Sequence, residues 1–152
     1  MRPNLARMLS LSPDQRRVAL ASVVLLPAVQ TSLHLRGFNR TARTLATRSE
    51  RSAVPTEPNK ARPAAEAVAL VAGRSLVGAR CLCRSLVLWF LLRRRGIDAQ
   101  LVIGAQASVN GELPAHAWVE VSGEPVNDAP DIRERFGSFE LQLPPLGEAT
   151  GR

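Results

Sequence analysis

The sequence is short of several residue types, and each shortage removes a class of protein. It has no tyrosine and only 4% aromatic residues, too few for the interleaved stacking platforms that hold single-stranded nucleic acid. A single lysine, Lys60, stands beside nineteen arginines. That one-sided choice follows a GC-rich codon bias as readily as selection for phosphate contacts. The only cysteines, Cys81 and Cys83, are one residue apart. Neighbours so close rarely bridge each other, so no disulfide framework is expected and a reducing, cytoplasmic setting is the natural one. Four zinc ligands in two close pairs are also missing, since the two histidines, His34 and His116, lie far apart. No metal and no cofactor are expected. The longest apolar stretch, Val18–Val29, has twelve residues, about half of the roughly 20 a membrane-spanning helix needs. As a secretory signal it lacks a good cleavage site, because Pro27-Ala28-Val29-Gln30 offers none. No transmembrane span is expected.

What is present is an ordinary globular composition with an uneven charge. The 152 residues are 45% hydrophobic and 22% charged, enough for one domain with a real core. The net charge of +7 hides a polarity: residues 1–95 hold seventeen basic and four acidic side chains, and residues 96–152 hold three and nine. A basic nucleic-acid-binding module is one reading of that front half, although no recognised nucleic-acid motif supports it.

Local grammar divides the chain. Ser12-Pro13-Asp14-Gln15 is a helix-start phrase, with serine as cap, proline at the first helical position and glutamine at the third. It predicts a helix from residue 13 to about 35, kinked at Pro27. Residues 36–51 are basic and weakly amphipathic, a short helix or a loop. Residues 52–63 carry three prolines and no apolar period, so they form a linker or exposed loop between an N-terminal helical region, 1–51, and a core, 64–143. Residues 64–77 have helical spacing. The run beginning at Cys81 places Leu82, Leu86 and Trp89 at three-to-four spacing, ends in three arginines and stops at Gly96.

Beyond Gly96 the period changes to two. Residues 97–106 alternate, and residues 115–121 put His116, Trp118 and Glu120 on one face and Ala117, Val119 and Val121 on the other. Ser122-Gly123-Glu124 reads as a hairpin turn into a return strand at Pro125–Asp128. Residues 133–143 have room for a helical turn and an edge strand, and 144–152 read as a flexible tail. Helices followed by an antiparallel sheet give an α+β fold.

Three residues in this layout form a possible catalytic set. Cys81 stands at a helix N-terminus, where unpaired N–H groups and the helix dipole favour the thiolate form of a cysteine. His116 is flanked by alanines that leave its ring room. Asp128, across the hairpin, falls within about one residue of directly opposite His116. Nucleophile, base and orienting acid then occur in the order Cys–His–Asp. Each residue alone has a plainer reading: a small core thiol, a half-buried strand histidine, an aspartate serving a turn. Order and spacing together favour catalysis. Cys81 and Cys83 point about 200° apart on a helix, so only one can face His116. The oxyanion donor is open, with the Cys81 backbone N–H, Gln106 and Asn39 as candidates.

The stretches CLCRSLVLWFLLRRRGIDAQLVIGAQ and AHAWVEVSGEPVND resemble the transglutaminase-like leader peptidases of lasso-peptide biosynthesis. The family pattern is a Cys-Leu-x-Arg-Ser/Ala helix, an Arg-Arg-Gly-Ile/Val-x-Ala turn, a Leu-Val-Ile-Gly strand and Ala-His-Ala-Trp-Val-Glu with a following Asn-Asp. The similarity covers about residues 75–135. It implies a papain- or transglutaminase-like core with Cys81 as nucleophile, His116 as general base and Asp128 as orienting acid. It implies removal of the leader from a ribosomally made precursor, in concert with an asparagine-synthetase-like cyclase. With no strand-rich module at its front, the chain matches the form that relies on a separate leader-recognition protein. The same thioester chemistry would also serve an acyl transferase.

Overall fold

The computed structural model describes residues 10–49, 57–73, 81–106 and 115–139. Residues 74–80 just before Cys81, the first part of the proposed linker (52–56) and the tail 144–152 lie outside them. Helix α1 spans Pro13–Ser49, a 3₁₀ turn covers Pro58–Lys60, and helices α2 and α3 span Ala61–Ala72 and Cys81–Arg94. Strands β1 (Ala99–Ala105), β2 (Ala115–Val121) and β3 (Glu124–Pro125) follow, then the short helix α4 (Ile132–Arg135) and strand β4 (Gly137–Phe139). The sheet is antiparallel in the order β3-β2-β1-β4. The fold is α+β.

The helix-start phrase forms a reciprocal cap. The Gln15 backbone N–H donates to Ser12 Oγ at 3.2 Å, and the Ser12 N–H donates to Gln15 Oε1 at 3.0 Å. Two otherwise orphaned donors are satisfied in one exchange. The first arm of the helix ends at Gly37, close to the expected end near residue 35, and a second helical arm carries on to Ser49. Its break falls at Gly37 (φ 75°, ψ 174°) and not at Pro27, which sits inside the helix. A glycine adopts that backbone without Cβ strain, so the chain bends there. Ser32 and Thr41 hydrogen-bond through their hydroxyls at 2.8 Å on either side of the bend. Helix α2 starts three residues earlier than its spacing suggests, because Pro63 is tolerated in a first turn.

Helix α1 is long and apolar enough, by length and composition, to cross a membrane, although the unbroken apolar run within it is short. One of its faces belongs to the protein core. Val18, Leu26, Val29, Ala42 and Leu45 are buried with Val68 of α2 and with Leu86, Leu88 and Leu92 of α3. Asp14 also accepts from Arg95 at 2.9 Å, which ties the start of α1 to the end of α3. Gly96 and Ile97 close α3, their N–H groups donating to the carbonyls of Arg93 and Leu92.

The sheet is covered unequally on its two faces. Leu101, Val119 and Val121 join the helical core. On the other face Val102, Trp118 and Ile132 form a small second cluster with Phe136. Register pairs His116 with Gly104 and Trp118 with Val102, so those four residues share that second face. A Cβ at Gly104 would lie 2.9 Å from the Trp118 ring and from Phe136 Cβ, so only glycine fits there without movement.

Candidate active site

The hairpin is tighter than the sequence suggests. Ser122 (φ 54°) and Gly123 (φ 81°) alone make the turn, and Val121 pairs with Glu124. Two left-handed central residues match the right-handed twist of the flanking strands. The return strand is correspondingly short. The Val126 N–H still donates to the Val119 carbonyl at 2.9 Å, but the Val119 N–H is taken by a side chain, Asn127 Oδ1, at 2.8 Å. The backbone leaves the sheet at that point.

Leaving the sheet brings Asp128 to His116. His116 Nε2 lies 2.6 Å from Asp128 Oδ2, with both side chains about one-fifth exposed. The second carboxylate oxygen, Oδ1, accepts the Ala129 N–H at 2.9 Å. Burial alone would push the Asp128 carboxyl up. The bonds from His116 and Ala129, with the charges of His116 and Arg84, override it and hold the group below its ordinary range. With Nε2 engaged, Nδ1 is the ring nitrogen left to handle a proton.

The wall behind the ring is built from the same face of the sheet. Phe136 stacks on His116 with ring centroids 5.2 Å apart, and the Trp118 ring lies 6.3 Å away. The Trp118 indole N–H donates to Glu120 Oε1 at 2.7 Å, and Arg133 clamps both oxygens of the same carboxylate. Glu120 is fully buried. Burial would raise its carboxyl, yet the Arg133 and Trp118 hydrogen bonds and the Arg133 charge leave it below its ordinary range.

Cys81 is the first residue of α3 and is partly exposed. Its thiol makes no hydrogen bond to His116 among the described residues. Its position follows from the residues after it. Ser85, one turn on and on the same helix face, donates from Oγ to the Ala117 carbonyl at 2.9 Å. One turn further, Trp89 Nε1 donates to the Ala99 carbonyl at 3.0 Å, and Ala99 is the partner of Val121. Helix α3 therefore runs in the same sense as β2, and its N-terminal thiol lies toward the His116 end of that strand. Cys83 points elsewhere. It is fully buried, its Sγ lies 3.4 Å from the Leu26 carbonyl of α1, and burial pushes its thiol up to about 11. A thiol so placed is a poor nucleophile.

Of the suggested oxyanion donors, Gln106 is exposed just past β1, at the same end of the sheet as His116, and Asn39 is exposed on the second arm of α1. A groove of about 310 Å³ between α2, α3 and residues 126–128 is lined by Arg62, Glu66, Arg84, Leu88 and Asp128 among others. Asp128 lines it, and neither Cys81 nor His116 does.

Sequence reasoning missed Ser85, the bridging role of Asn127, and Phe136 as a wall for His116. Ser85 carried a faint signal: it is the one polar residue in the run Ser85–Leu92, four residues after Cys81. The link between Asn127 and Ser85, 42 residues apart, had none.

The chain sets a helix that begins at a cysteine on a small antiparallel sheet whose strand histidine is bonded to an aspartate. A family profile described as "Transglutaminase-like superfamily" matches residues 23–140, and the chain belongs to that family. A relative, the "Microcin J25-processing protein McjB" of Escherichia coli, is 43% identical over 56 residues, 37% of this chain. The matched segment spans only 26% of that protein's length. No solved structure matches the chain significantly.

Proposed function

We propose that this protein is a cysteine peptidase that removes the leader from a ribosomally made lasso-peptide precursor, with Cys81 as nucleophile, His116 as general base and Asp128 as orienting acid. The observation that carries the reading is the 2.6 Å contact between His116 Nε2 and Asp128 Oδ2 at the strand end toward which Cys81 lies. The similarity to a microcin-processing protein supports the substrate class.

In this mechanism the Asp128 carboxylate fixes the ring with its proton on Nε2, so that Nδ1 accepts the Cys81 thiol proton. The thiolate attacks the scissile carbonyl, and the oxyanion is met by backbone N–H groups at the start of α3, with Gln106 as a further donor. The Nδ1 proton passes to the departing amine as the C–N bond breaks, leaving a thioester on Cys81. Water, deprotonated by Nδ1, then frees the leader carboxylate and restores the thiol.

The amine released is the N-terminus of the core peptide, the group that a macrolactam-forming, asparagine-synthetase-like cyclase would consume. A leader-recognition protein that presents the precursor and a cytoplasmic setting complete the proposal. The decisive experiment incubates the chain with precursor and recognition protein and follows mass. Loss of the leader mass, abolished by Cys81→Ala and retained by Cys83→Ala, is the expected result. The reverse dependence would move the nucleophile to Cys83, and a cross-linked product would make the protein an acyl transferase. Salt-sensitive retention of DNA or RNA that survives Cys81→Ala, without cleavage, would favour a nucleic-acid-binding module.

A further inference from the structure

Three segments meet at one buried hydrogen-bond relay, and each of them carries one member of the proposed triad. Asn127 Oδ1 accepts the Val119 N–H at 2.8 Å, and Asn127 Nδ2 donates to Ser85 Oγ at 2.9 Å. Ser85 Oγ in turn donates to the Ala117 carbonyl at 2.9 Å. Ser85 is fully buried. It lies one helical turn from Cys81, Ala117 follows His116, and Asn127 precedes Asp128. The amide oxygen accepts, the amide nitrogen donates, and the hydroxyl between them does both, so the relay runs without a break.

We propose that Asn127, with Ser85 as its relay, is the positioning residue that fixes the helix bearing Cys81 against the His116–Asp128 pair. The proposal rests on the triad reading above. Its physical basis is the replacement of a ladder bond by a side chain. Were the return strand to continue, the Val126 carbonyl would take the Val119 N–H, and Asp128 would stay in strand geometry. Asn127 takes that donor instead and turns the backbone out of the sheet, which lets Asp128 reach Nε2. The other end of the same amide reaches the helix, so one side chain sets both the acid–base distance and the distance from base to nucleophile. Neither residue touches the reacting atoms. Ser85 alone is the less demanding partner, since the Asn127–Val119 bond would survive its loss.

The test reads thiol activation directly, using iodoacetamide alkylation of Cys81 in the full chain, mapped by mass and followed from pH 5 to 10. If His116 governs the Cys81 thiolate, His116→Ala and Asp128→Asn shift the rate–pH profile. Asn127→Ala is expected to shift it in the same sense, and Ser85→Ala to shift it less. Turnover of 4-nitrophenyl acetate should fall about tenfold or more in Asn127→Ala, largely in kcat. Adding Ser85→Ala to Asn127→Ala should produce little further change, because both act through one relay. A profile for Asn127→Ala that superimposes on the unaltered chain overturns the proposal, as does strict additivity of the two shifts. Ser85→Ala removes only a hydroxyl in favour of a strong helix former, so it gives the same reading should Asn127→Ala not fold. An unchanged profile in His116→Ala, by contrast, would fell the triad reading itself.

Discussion

At the scale of single residues, the site turns on how one imidazole and two thiols are surrounded. Asp128 is held below the ordinary carboxylate range, so it stays ionised as pH falls from neutral into the mildly acidic range. The acid limb of a cleavage–pH profile is therefore not expected to report the aspartate. Asp128→Asn should lower kcat by about a thousandfold or more, since an amide can hold the ring in the wrong tautomer, without moving that limb to higher pH. Steady-state kinetics across pH 5–9 checks both points, and a near-normal kcat in this variant would remove Asp128 from the mechanism. Cys83→Ala should cost about 1 kcal/mol of stability through a small cavity under α1, with cleavage retained. Urea unfolding measures the first effect and a mass assay the second.

Much of this was legible in the sequence because it depends on short spacing. The separation of 12 positions from His116 to Asp128, with a turn midway, brings the acid close to opposite the base, and the structure finds them joined. The 200° separation of Cys81 and Cys83 puts them on different faces, and Cys83 does face α1. Asn127 and Ser85 were not legible, because a hydrogen bond across 42 residues depends on how α3 settles on β2.

At the scale of elements, strand β2 carries the site and two neighbouring features keep it in place. Gly104→Ala would force the Trp118 ring or Phe136 to move by several tenths of an ångström. The expected cost is about 1–3 kcal/mol, accompanied by loss of activity as the wall behind His116 shifts. A normal unfolding midpoint for this variant would mean that the second face of the sheet is loosely packed. Glu120 is the other feature. Its folded carboxyl is lower than in the unfolded chain, so its contribution is complete above the unfolded value, near 4.5, and is lost as pH falls through the folded one. Glu120→Gln should start less stable at neutral pH and lose less on acidification, which unfolding midpoints at pH 7 and pH 3.5 would reveal. Glu120→Ala strands the buried Trp118 indole N–H and removes the carboxylate that Arg133 clamps, and should cost about 2 kcal/mol.

Element boundaries were harder to read than element types. The cap at Ser12 and the stop at Gly96 are local exchanges of hydrogen bonds, and both stand where the residues put them. The bend at Gly37 displaced the one expected at Pro27 because tertiary packing decides which of two weak points yields. The short helix and edge strand at the end of the sheet were expected somewhere in 133–143, and they occupy Ile132–Arg135 and Gly137–Phe139.

At the scale of the whole molecule, the charge polarity has a spatial counterpart. The basic N-terminal half supplies the helices, and the acidic C-terminal half supplies the sheet with His116 and Asp128. A basic helical front suits an acidic leader, its recognition protein or the cyclase better than nucleic acid, given the scarcity of aromatics. Raising salt should then weaken assembly more than it slows cleavage of a leader already bound. Titrating complex formation and single-turnover cleavage over the same salt series compares the two, and equal sensitivity would count against electrostatic docking.

Helix α1 adds a consequence in time. It is made before α2 and α3, whose residues cover its buried face. Until synthesis has passed Arg95, the partner of Asp14, the new chain carries an arginine-rich helix with an unsheltered oily side. Such a segment is a natural client for holdase chaperones and a ready seed for self-association during rapid expression. Slower production, or supply of a chaperone that shields nascent helices, should therefore raise the soluble yield more than any substitution near Cys81.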